Sequence, residues 1–236
     1  MKVGIMQPYF FPYLGYFSLI KHADKWIVFD PVQFIRHGWI ERNRILKPGE
    51  GWQYISVPLQ KHNRETLISD IRIRNEEDWR GKIVRQIEHY KKAPFYKPTV
   101  EVLQQCLNID TDSITALDAH CLKCTCDYLR IPFNFEVFTE MDIKIDPVND
   151  PGEWALFTSK SLKAKEYINP PGGIEIFDKT KFDNAGIKLK FLKINLREYS
   201  QRRKAFEPGL SILDVMMFNS PEEISRMLDD YTFIEA

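Results

Sequence analysis

The chain has 236 residues, with 33 basic and 33 acidic side chains and a formal net charge of zero. This length allows one sizeable α/β domain or two small ones. The balanced charge argues against non-specific nucleic-acid binding, which needs a basic excess. No apolar run reaches the ~20 residues of a membrane span, and the start shows no signal-peptide pattern. We therefore expect a cytoplasmic protein that binds a small molecule, with homo-oligomerisation left open.

Short apolar runs alternate with helical patterns along most of the chain. Residues 3–6 and 26–29 are apolar runs typical of buried strands, and residues 16–22 between them predict a helix. This order predicts a parallel βαβ unit. The further predicted strands are 52–59, a short one at 67–73, 133–137, 167–168 and 187–194. The pattern predicts an α/β fold with a mainly parallel, Rossmann-like sheet and helices on both faces.

Helical patterns dominate the middle of the chain. They cover residues 76–90 and 99–107, and a third helix starts at Asp112 or Ser113 and runs to about residue 129. We predict a single domain over 1–236, with 76–130 as a helical insertion that forms a subdomain. The remaining predictions are a mobile surface loop at 146–152, a weak helix at 159–165 and helices at 211–218 and 221–228.

The first candidate site is the turn after the first strand. Residues 7–17 read QPYFFPYLGYF and crowd prolines, a glycine and several aromatic rings into one turn. In open α/β sheets, ligands bind where such a loop meets a helix N-terminus. We therefore predict that Gln7 and Tyr13 orient a substrate, with Pro8 and Gly15 beside them. The alternative is a turn whose aromatic rings simply pack in the core.

The second candidate site is residues 30–44, within the basic segment 30–47 that is predicted to be a loop. Asp30 ends the second predicted strand, where its carboxylate would serve as a general base or hydroxyl anchor. Arg42 and Arg44 would hold phosphates, because the guanidinium fork suits phosphate and carboxylate. A solvated basic loop is the alternative. The predicted substrate-binding residues here are Gln33, Trp39, which could stack on a base or sugar, Arg42, Asn43 and Arg44.

Two later segments supply further candidates. Glycines in residues 169–173 (NPPGG) let a backbone approach a ligand closely. In residues 199–214, Ser211 opens a predicted helix whose amides and dipole favour an anion. Asp214 stands three residues later, the spacing of a capping box, so a simple capped helix is the alternative. The predicted substrate-binding residues are Gly172, Gly173, Gln201, Arg202, Ser211 and Asp214.

The cysteines do not predict a metal site. Cys121, Cys124 and Cys126 lie in CLKCTC, which contains one CxxC but has no second pair, as a zinc site would need. Reduced cysteines on a buried helix face are the favoured interpretation, and zinc bound with the help of His120 is the alternative. The sequence also has no P-loop, GxGxxG or HExxH motif.

The four segments together resemble the WbqC-like protein family. The matching stretches are QPYFFPYLGYF at 7–17, DPVQF…GWIERNRI at 30–45, NPPGG with IEIFD…F…GIKLKF at 169–191 and YSQRRKAFEPGLSILDVMMFN at 199–219. Members are associated with bacterial surface-polysaccharide (O-antigen-type) gene clusters. The resemblance therefore implies a role in making or modifying such a polysaccharide. Pro170 and Pro171 depart from the smaller residues expected in their turn.

A looser similarity of fold is to the HIGH-type nucleotidylyltransferases and pantothenate synthetase. It implies a HUP-like version of the Rossmann-like sheet. In those enzymes two histidines at the start of the first helix grip nucleotide phosphates. Here the corresponding loop reads PYFFPYLGYF and contains no histidine. Adenylyl transfer is therefore disfavoured, because no imidazole in this loop can stabilise the pentacoordinate charge.

Two functions follow from these observations. The first is a transferase that acts on a nucleotide-linked sugar or an activated acyl or aminoacyl group, with a nucleotide or nucleotide-sugar as the one cofactor-like ligand. Asp30 would then be the base, and Arg202 and the Ser211 amides would help to hold phosphates. The second is a non-catalytic ligand-binding or scaffold protein of the same pathway. The missing histidines and the lack of a nucleophile–base pair favour that alternative.

Overall fold

A six-stranded sheet forms the centre of the computed structural model, which describes residues 1–234. Its strands, together with those of a separate hairpin, are β1 (Lys2–Met6), β2 (Lys25–Val28), β3 (Arg42–Leu46), β4 (Trp52–Ser56), β5 (Phe135–Val137), β6 (Glu166–Asn169), β7 (Lys188–Ile194) and β8 (Tyr231–Ile234). The order in the sheet is β5-β2-β1-β6-β7-β8. All neighbours are parallel except β7 and β8. This is the mainly parallel, Rossmann-like α/β fold that the sequence predicts.

Helices cover both faces of this sheet. They are α1 (Leu14–His22), α2 (Trp79–Gln86), α3 (Tyr96–Leu107), α4 (Ile114–Tyr128), α5 (Pro151–Ser161), α6 (Lys179–Asn184), α7 (Ile212–Phe218) and α8 (Pro221–Leu228). Trp26 and Ile168 pack with α1, α7 and α8 on one face. Val3 and Ile5 pack with α5 and α6 on the other. Strands buried on both faces are apolar throughout, which explains why β1 and β2 are readable as continuous apolar runs.

The predicted helical insertion is also present. Helices α2, α3 and α4 lie between β4 and β5 in the chain and pack in the same apolar core as α1. Helix α4 begins where Ser113 accepts a hydrogen bond from the Ala116 amide, as the cap prediction requires. The single domain over 1–236 and the subdomain over 76–130 stay predictions.

The predicted strand at 52–59 does not join the central sheet. It corresponds to β4, which pairs antiparallel with β3 in a separate two-stranded sheet. β3 lies within residues 30–47, for which the sequence predicts only a loop. The loop prediction is wrong there. Two arginines make the stretch polar enough to resemble a loop, but Asn43 and Ile45, which alternate with these arginines, are buried as in a strand. The short strand predicted at 67–73 is wrong too, since Ile68–Asp70 forms a 3-10 turn.

The segment predicted as a surface loop at 146–152 contains the start of α5. Asp150 caps this helix and forms a capping box with Glu153, and Pro151 occupies the first turn. The helix ends at Ser161, so the weak helix predicted at 159–165 is also misplaced. Strand β8 was not predicted, because its four residues at the chain end are only partly buried.

The strand order creates one crevice at the centre of the sheet. From β1 the chain builds β2 and β5 on one side and then crosses to β6 and β7 on the other. The order therefore reverses between β1 and β6, and ligands of open α/β sheets bind outside the carboxyl ends of the strands at such a point. These ends are Met6 and Asn169. Within residues 1–234, no helix has the length and apolar character needed to span a membrane.

Candidate functional site

Two neighbouring clefts open at the carboxyl ends of β1 and β6. The smaller, about 350 Å³, is called the aromatic cleft and is lined by Met6, Tyr9, Pro12, Tyr13, Tyr16, Leu19, Trp39, Asn43, Arg44, Pro170, Leu196 and Gly209. The larger cleft, about 880 Å³, is lined by polar residues that include Gln7, Gln33, Asn149, Asp150 and Asn169, and by many apolar ones. Both clefts share Met6, Tyr9 and Pro170. Segments near residues 10, 40, 170 and 210 therefore meet at one edge of the sheet.

The turn over residues 7–17 divides its aromatic rings between core and clefts. Phe10 and Phe11 are buried, whereas Tyr9 and Tyr13 line the cleft walls. The Phe10 amide donates a 2.9 Å hydrogen bond to the Trp39 carbonyl oxygen, which joins the turn to the basic segment. The Gln7 side chain lies in the larger cleft. Part of the turn thus packs in the core, as the alternative expects, and the substrate-orienting role of Gln7 and Tyr13 stays a prediction.

Gly15 allows the Tyr13 ring to lie over the first turn of α1. A Cβ atom on Gly15 would lie 2.5 Å from Cζ and from the hydroxyl of Tyr13. Burial raises the pKa of the Tyr9 and Tyr13 phenols. At neutral pH both hydroxyls are therefore protonated, so they can donate hydrogen bonds to a substrate but do not act as ready bases. This suits Tyr13 to the orienting role that the sequence predicts.

Arg44 is the cation of the aromatic cleft. Its Nη2 donates a 3.1 Å hydrogen bond to the Gly209 carbonyl, and its guanidinium carbon lies 5.3 Å and 5.2 Å from the ring centroids of Trp39 and Trp52. Its Nε is buried without a hydrogen-bond partner. No carboxylate among residues 1–234 forms a salt bridge with Arg44. A positioned cation without a counter-ion is a ready partner for an anionic ligand.

The neighbouring arginine lies elsewhere. Arg42 lines neither cleft. Its Nη2 donates a 2.6 Å hydrogen bond to the His37 carbonyl, and its guanidinium carbon lies 4.1 Å from the Tyr54 ring centroid. Asn43 lies in the aromatic cleft wall but is buried, with its Nδ2 donating to the Phe10 carbonyl at 3.1 Å. Of these three predicted residues, Arg44 alone presents a charged group to the cleft.

Asp30 is not at a cleft wall, contrary to the position expected for a base. Its side chain is 1% exposed, and both carboxylate oxygens accept hydrogen bonds from Thr139, from the amide at 3.2 Å and from Oγ1 at 2.8 Å. Burial raises the pKa of the Asp30 carboxyl, against which the Thr139 hydrogen bonds act. The visible role of this residue is to tie the end of β2 to the turn after β5.

The two glycines after β6 occupy different surroundings. Asn169 donates a 2.6 Å hydrogen bond from Nδ2 to the Tyr167 hydroxyl. A Cβ atom on Gly173 would collide with Asn169 Oδ1 and lie 2.9 Å from the Phe177 ring, whereas one on Gly172 would meet nothing within 4 Å. Both glycines line the larger cleft, as predicted. Gly173 in addition permits the close packing that holds the Asn169 carboxamide in place.

The start of α7 does not present free amides to a ligand. Ser211 is fully buried, and its Oγ donates a 2.8 Å hydrogen bond to the Phe11 carbonyl while accepting one from the Leu213 amide. The Ser211 and Ile212 amides donate to the carbonyls of Arg44 and Pro12. This helix start therefore holds the aromatic turn against β3, and an anion site there stays a prediction.

Four other predicted residues lie outside the clefts or have their side chains hydrogen-bonded within the chain. Gln201 is buried, and its Nε2 donates a 3.0 Å hydrogen bond to the Glu207 carbonyl. Arg202 lies outside both clefts and donates to the Lys92 carbonyl. Pro8 is buried and lines neither cleft, whereas Gln33 lines the larger cleft with its Nε2 bound to the Arg64 carbonyl.

Asp214 is a fully buried carboxyl group with no hydrogen-bond partner among the described residues. The predicted capping box is therefore not formed. Burial raises the pKa of Asp214 well above its usual value, and only the charge of Arg203 acts in the opposite direction. Asp214 keeps its proton in the folded chain over a pH range in which the unfolded chain has lost it. It affects stability and does not line either cleft.

We expect the substitution Asp214→Asn to flatten the pH dependence of stability. The pKa of Asp214 is higher in the folded chain than the value of 3.8 in the unfolded chain. Protonation of Asp214 therefore contributes its full stabilisation below pH 3.8, and this contribution is lost as the pH rises towards the pKa of the folded chain. The free energy of unfolding should fall by up to about 1.4 kcal/mol per pH unit from this group alone. Urea unfolding at pH 5 and pH 6 should show a smaller decline in the variant. An equal decline in both proteins would contradict the assignment.

The cysteines lie within or beside α4. Cys106, Cys121 and Cys126 are buried, and Cys124 Sγ lies 3.5 Å from His120 Nε2. Among residues 1–234, no group of three or more His, Cys, Asp or Glu side chains is arranged to hold a metal ion. The zinc alternative of the sequence analysis is therefore not supported by these positions.

Several wall residues were not predicted from the sequence. Asn149 and Trp154 line the larger cleft from the start of α5, and Leu196 lines the aromatic cleft after β7. The signal that could have found the first two is Asp150-Pro151 followed by Glu153, a helix start at the end of a presumed loop. No sequence pattern indicates Leu196 as a wall residue, because its position depends on which strands lie beside β7 in the sheet.

Comparisons with known proteins identify the family of the chain. The family model described as "WbqC-like protein family" matches residues 7–226, and the family name is linked to O-antigen biosynthesis. The chain is also similar to Uncharacterized protein Rv1507c of Mycobacterium tuberculosis, with 30% identity over 227 residues that cover 92% of this chain and 93% of the relative. No solved structure matches the chain. The chain therefore belongs to the WbqC-like protein family.

Proposed function

We propose that this protein is a transferase of bacterial surface-polysaccharide (O-antigen-type) biosynthesis or modification, which binds a nucleotide-linked or acyl-activated small substrate. The substrate lies across both clefts. Its anionic group binds at Arg44, and its planar or ring-shaped part lies among Tyr9, Tyr13 and Trp39. In the larger cleft Gln7 donates a hydrogen bond to the substrate and Asn169 accepts one through Oδ1, since Asn169 Nδ2 already donates to Tyr167 and Met6. The link of the family name to O-antigen biosynthesis supports this choice of pathway.

One observation supports this proposal above the others. Arg44, a cation with no salt-bridge partner in the described chain, stands between two tryptophan rings at the point where the strand order reverses. Aromatic rings and a guanidinium together recognise planar and anionic groups. The position is the one at which Rossmann-like sheets bind their ligands.

A non-catalytic ligand-binding or scaffold role is the second candidate. The burial of Asp30 favours this role, because both of its carboxylate oxygens accept hydrogen bonds from Thr139. No histidine of the described residues lines either cleft. Such a protein would bind the same ligand at Arg44 without turnover. Detection of a steady-state product from sugar nucleotides or acyl donors would exclude this candidate.

The proposal predicts stabilisation by substrate. A ligand that binds only the native state at 100 times its dissociation constant adds about 2.7 kcal/mol to the free energy of unfolding. For a chain of this size that corresponds to a rise of roughly 5–10 °C in Tm. The measurement is a thermal-shift panel of nucleotides, sugar nucleotides and acyl donors. A panel without any shift, or with shifts as large in Arg44→Gln as in the wild type, would contradict the proposal.

A further inference from the structure

The walls of the two clefts carry few charges. Among the described lining residues, Arg44 is the one cation and Asp150 the one carboxylate. Lys181 Nζ pairs with Asp150 and with Glu153, each at 2.8 Å. Lys181 lies outside the cleft wall and is shared by two carboxylates, so it is not available to a ligand. The described wall of the larger cleft therefore offers no free cation to a ligand.

This distribution of charge is a poor match for a diphosphate. A diphosphate is held in proteins by cations and by free amides at helix N-termini. The helix start in the larger cleft is that of α5, whose Gly152 and Glu153 amides donate to the Asp150 side chain. A sugar nucleotide carries two phosphate groups, whereas the described walls offer Arg44 as their one cation.

The larger cleft offers apolar surface instead. Ile35 and Ile176, which line it, are 63% and 51% exposed, high values for apolar side chains of this size. Trp154 packs against Phe29 with a ring-centroid distance of 5.4 Å and adds an aromatic wall. A hydrocarbon group bound here would remove these side chains from water, which favours binding in proportion to the area covered.

Two of the polar residues of the larger cleft lie next in the chain to, or one residue away from, residues that also line the aromatic cleft. Gln7 and Asn169 line the larger cleft beside Tyr9, which lines both. A protonated phenol and a carboxamide N–H can donate to a carbonyl oxygen. The same ligand can therefore place a carbonyl at this junction, a hydrocarbon group towards Ile35 and Ile176, and a single anionic group at Arg44.

Resting on the proposed function, we infer that the larger cleft holds the acyl group of the substrate, so that the substrate is acyl-activated and not a nucleotide-linked sugar. The probes are the acetyl, butyryl, hexanoyl and octanoyl thioesters of 4′-phosphopantetheine, each with one phosphate for Arg44. Unacylated phosphopantetheine and UDP-glucose are measured alongside by titration calorimetry. The wild type is compared with Ile176→Asn and with Leu67→Asn, a matched change at an exposed residue outside both clefts.

The affinity of the wild type should rise about fourfold for each methylene group that the cleft buries. In Ile176→Asn that gain should shrink at least twofold, whereas Leu67→Asn should match the wild type. Unacylated phosphopantetheine should bind all three proteins equally. Ile35→Asn provides the same test if Ile176→Asn does not fold.

The outcomes separate this inference from the proposed function. If the acyl series binds with no dependence on chain length, or does not bind while UDP-glucose binds through Arg44, the acyl inference is overturned and the proposed function stands. If neither the acyl series nor UDP-glucose binds, both are overturned.

Discussion

Replacing Arg44 with Gln should weaken substrate binding about 10- to 100-fold. The substitution removes charge-assisted hydrogen bonds to the anionic group, which contribute about 1.5–3 kcal/mol. The affinity of Arg44→Lys should lie between those of the wild type and Arg44→Gln, because lysine keeps the positive charge but lacks the planar guanidinium fork. The measurement is the dissociation constant of the ligand with the largest thermal shift, determined by titration calorimetry.

Arg42→Gln is the matched control. Arg42 and Arg44 lie on the same strand, β3. The Arg42 guanidinium, however, contacts the His37 carbonyl and the Tyr54 ring, and Arg42 lines neither cleft. Its replacement should leave the dissociation constant within about twofold of the wild type. Equal losses for the two arginines would show that the basic segment acts through its general charge, and the assignment of Arg44 would then be wrong.

Gly173→Ala should disturb both stability and binding. The new methyl group would collide with Asn169 Oδ1 and lie 2.9 Å from the Phe177 ring. Relief of this overlap should cost about 1–3 kcal/mol of unfolding free energy. Movement of the Asn169 carboxamide should in addition weaken ligand binding roughly tenfold, the effect of one lost hydrogen bond. Urea unfolding and titration calorimetry measure the two effects separately.

Gly172→Ala, at the adjacent position, tests whether the effect is local. A methyl group there meets no atom within 4 Å. Its stability should match or slightly exceed that of the wild type, because alanine restricts the unfolded chain more than glycine does. If both alanine variants lose the same stability, the loss comes from a backbone requirement shared by the turn, and the contact with Asn169 is not its cause.

The sequence was informative where local pattern decides structure. The apolar runs of β1 and β2 are continuous because helices cover both faces of the sheet. A turn that begins at Gln7, directly after such a strand, must lie at the carboxyl edge of the sheet. The position of the aromatic turn and the cap at Ser113 could therefore be predicted without knowledge of the remaining chain.

The sequence was less informative where distant residues decide the role of a side chain. Asp30 looks like an available carboxylate at a strand end, but its partner Thr139 is 109 residues away. The amides at Ser211 look free until the Pro12 and Arg44 carbonyls are placed against them. No local spacing reports these partners. The partners of the Ser211 and Ile212 amides follow from the packing of the aromatic turn between β3 and α7, and Thr139 reaches Asp30 from the turn after β5.

The most direct test of the proposed ligand site is a crystal structure with the ligand that gives the largest thermal shift. We expect the ligand to lie outside the carboxyl ends of β1 and β6 and to contact Tyr9. The anionic group of the ligand should bind Arg44. A ligand at the opposite edge of the sheet, beside Lys165 and Lys188, would contradict this expectation.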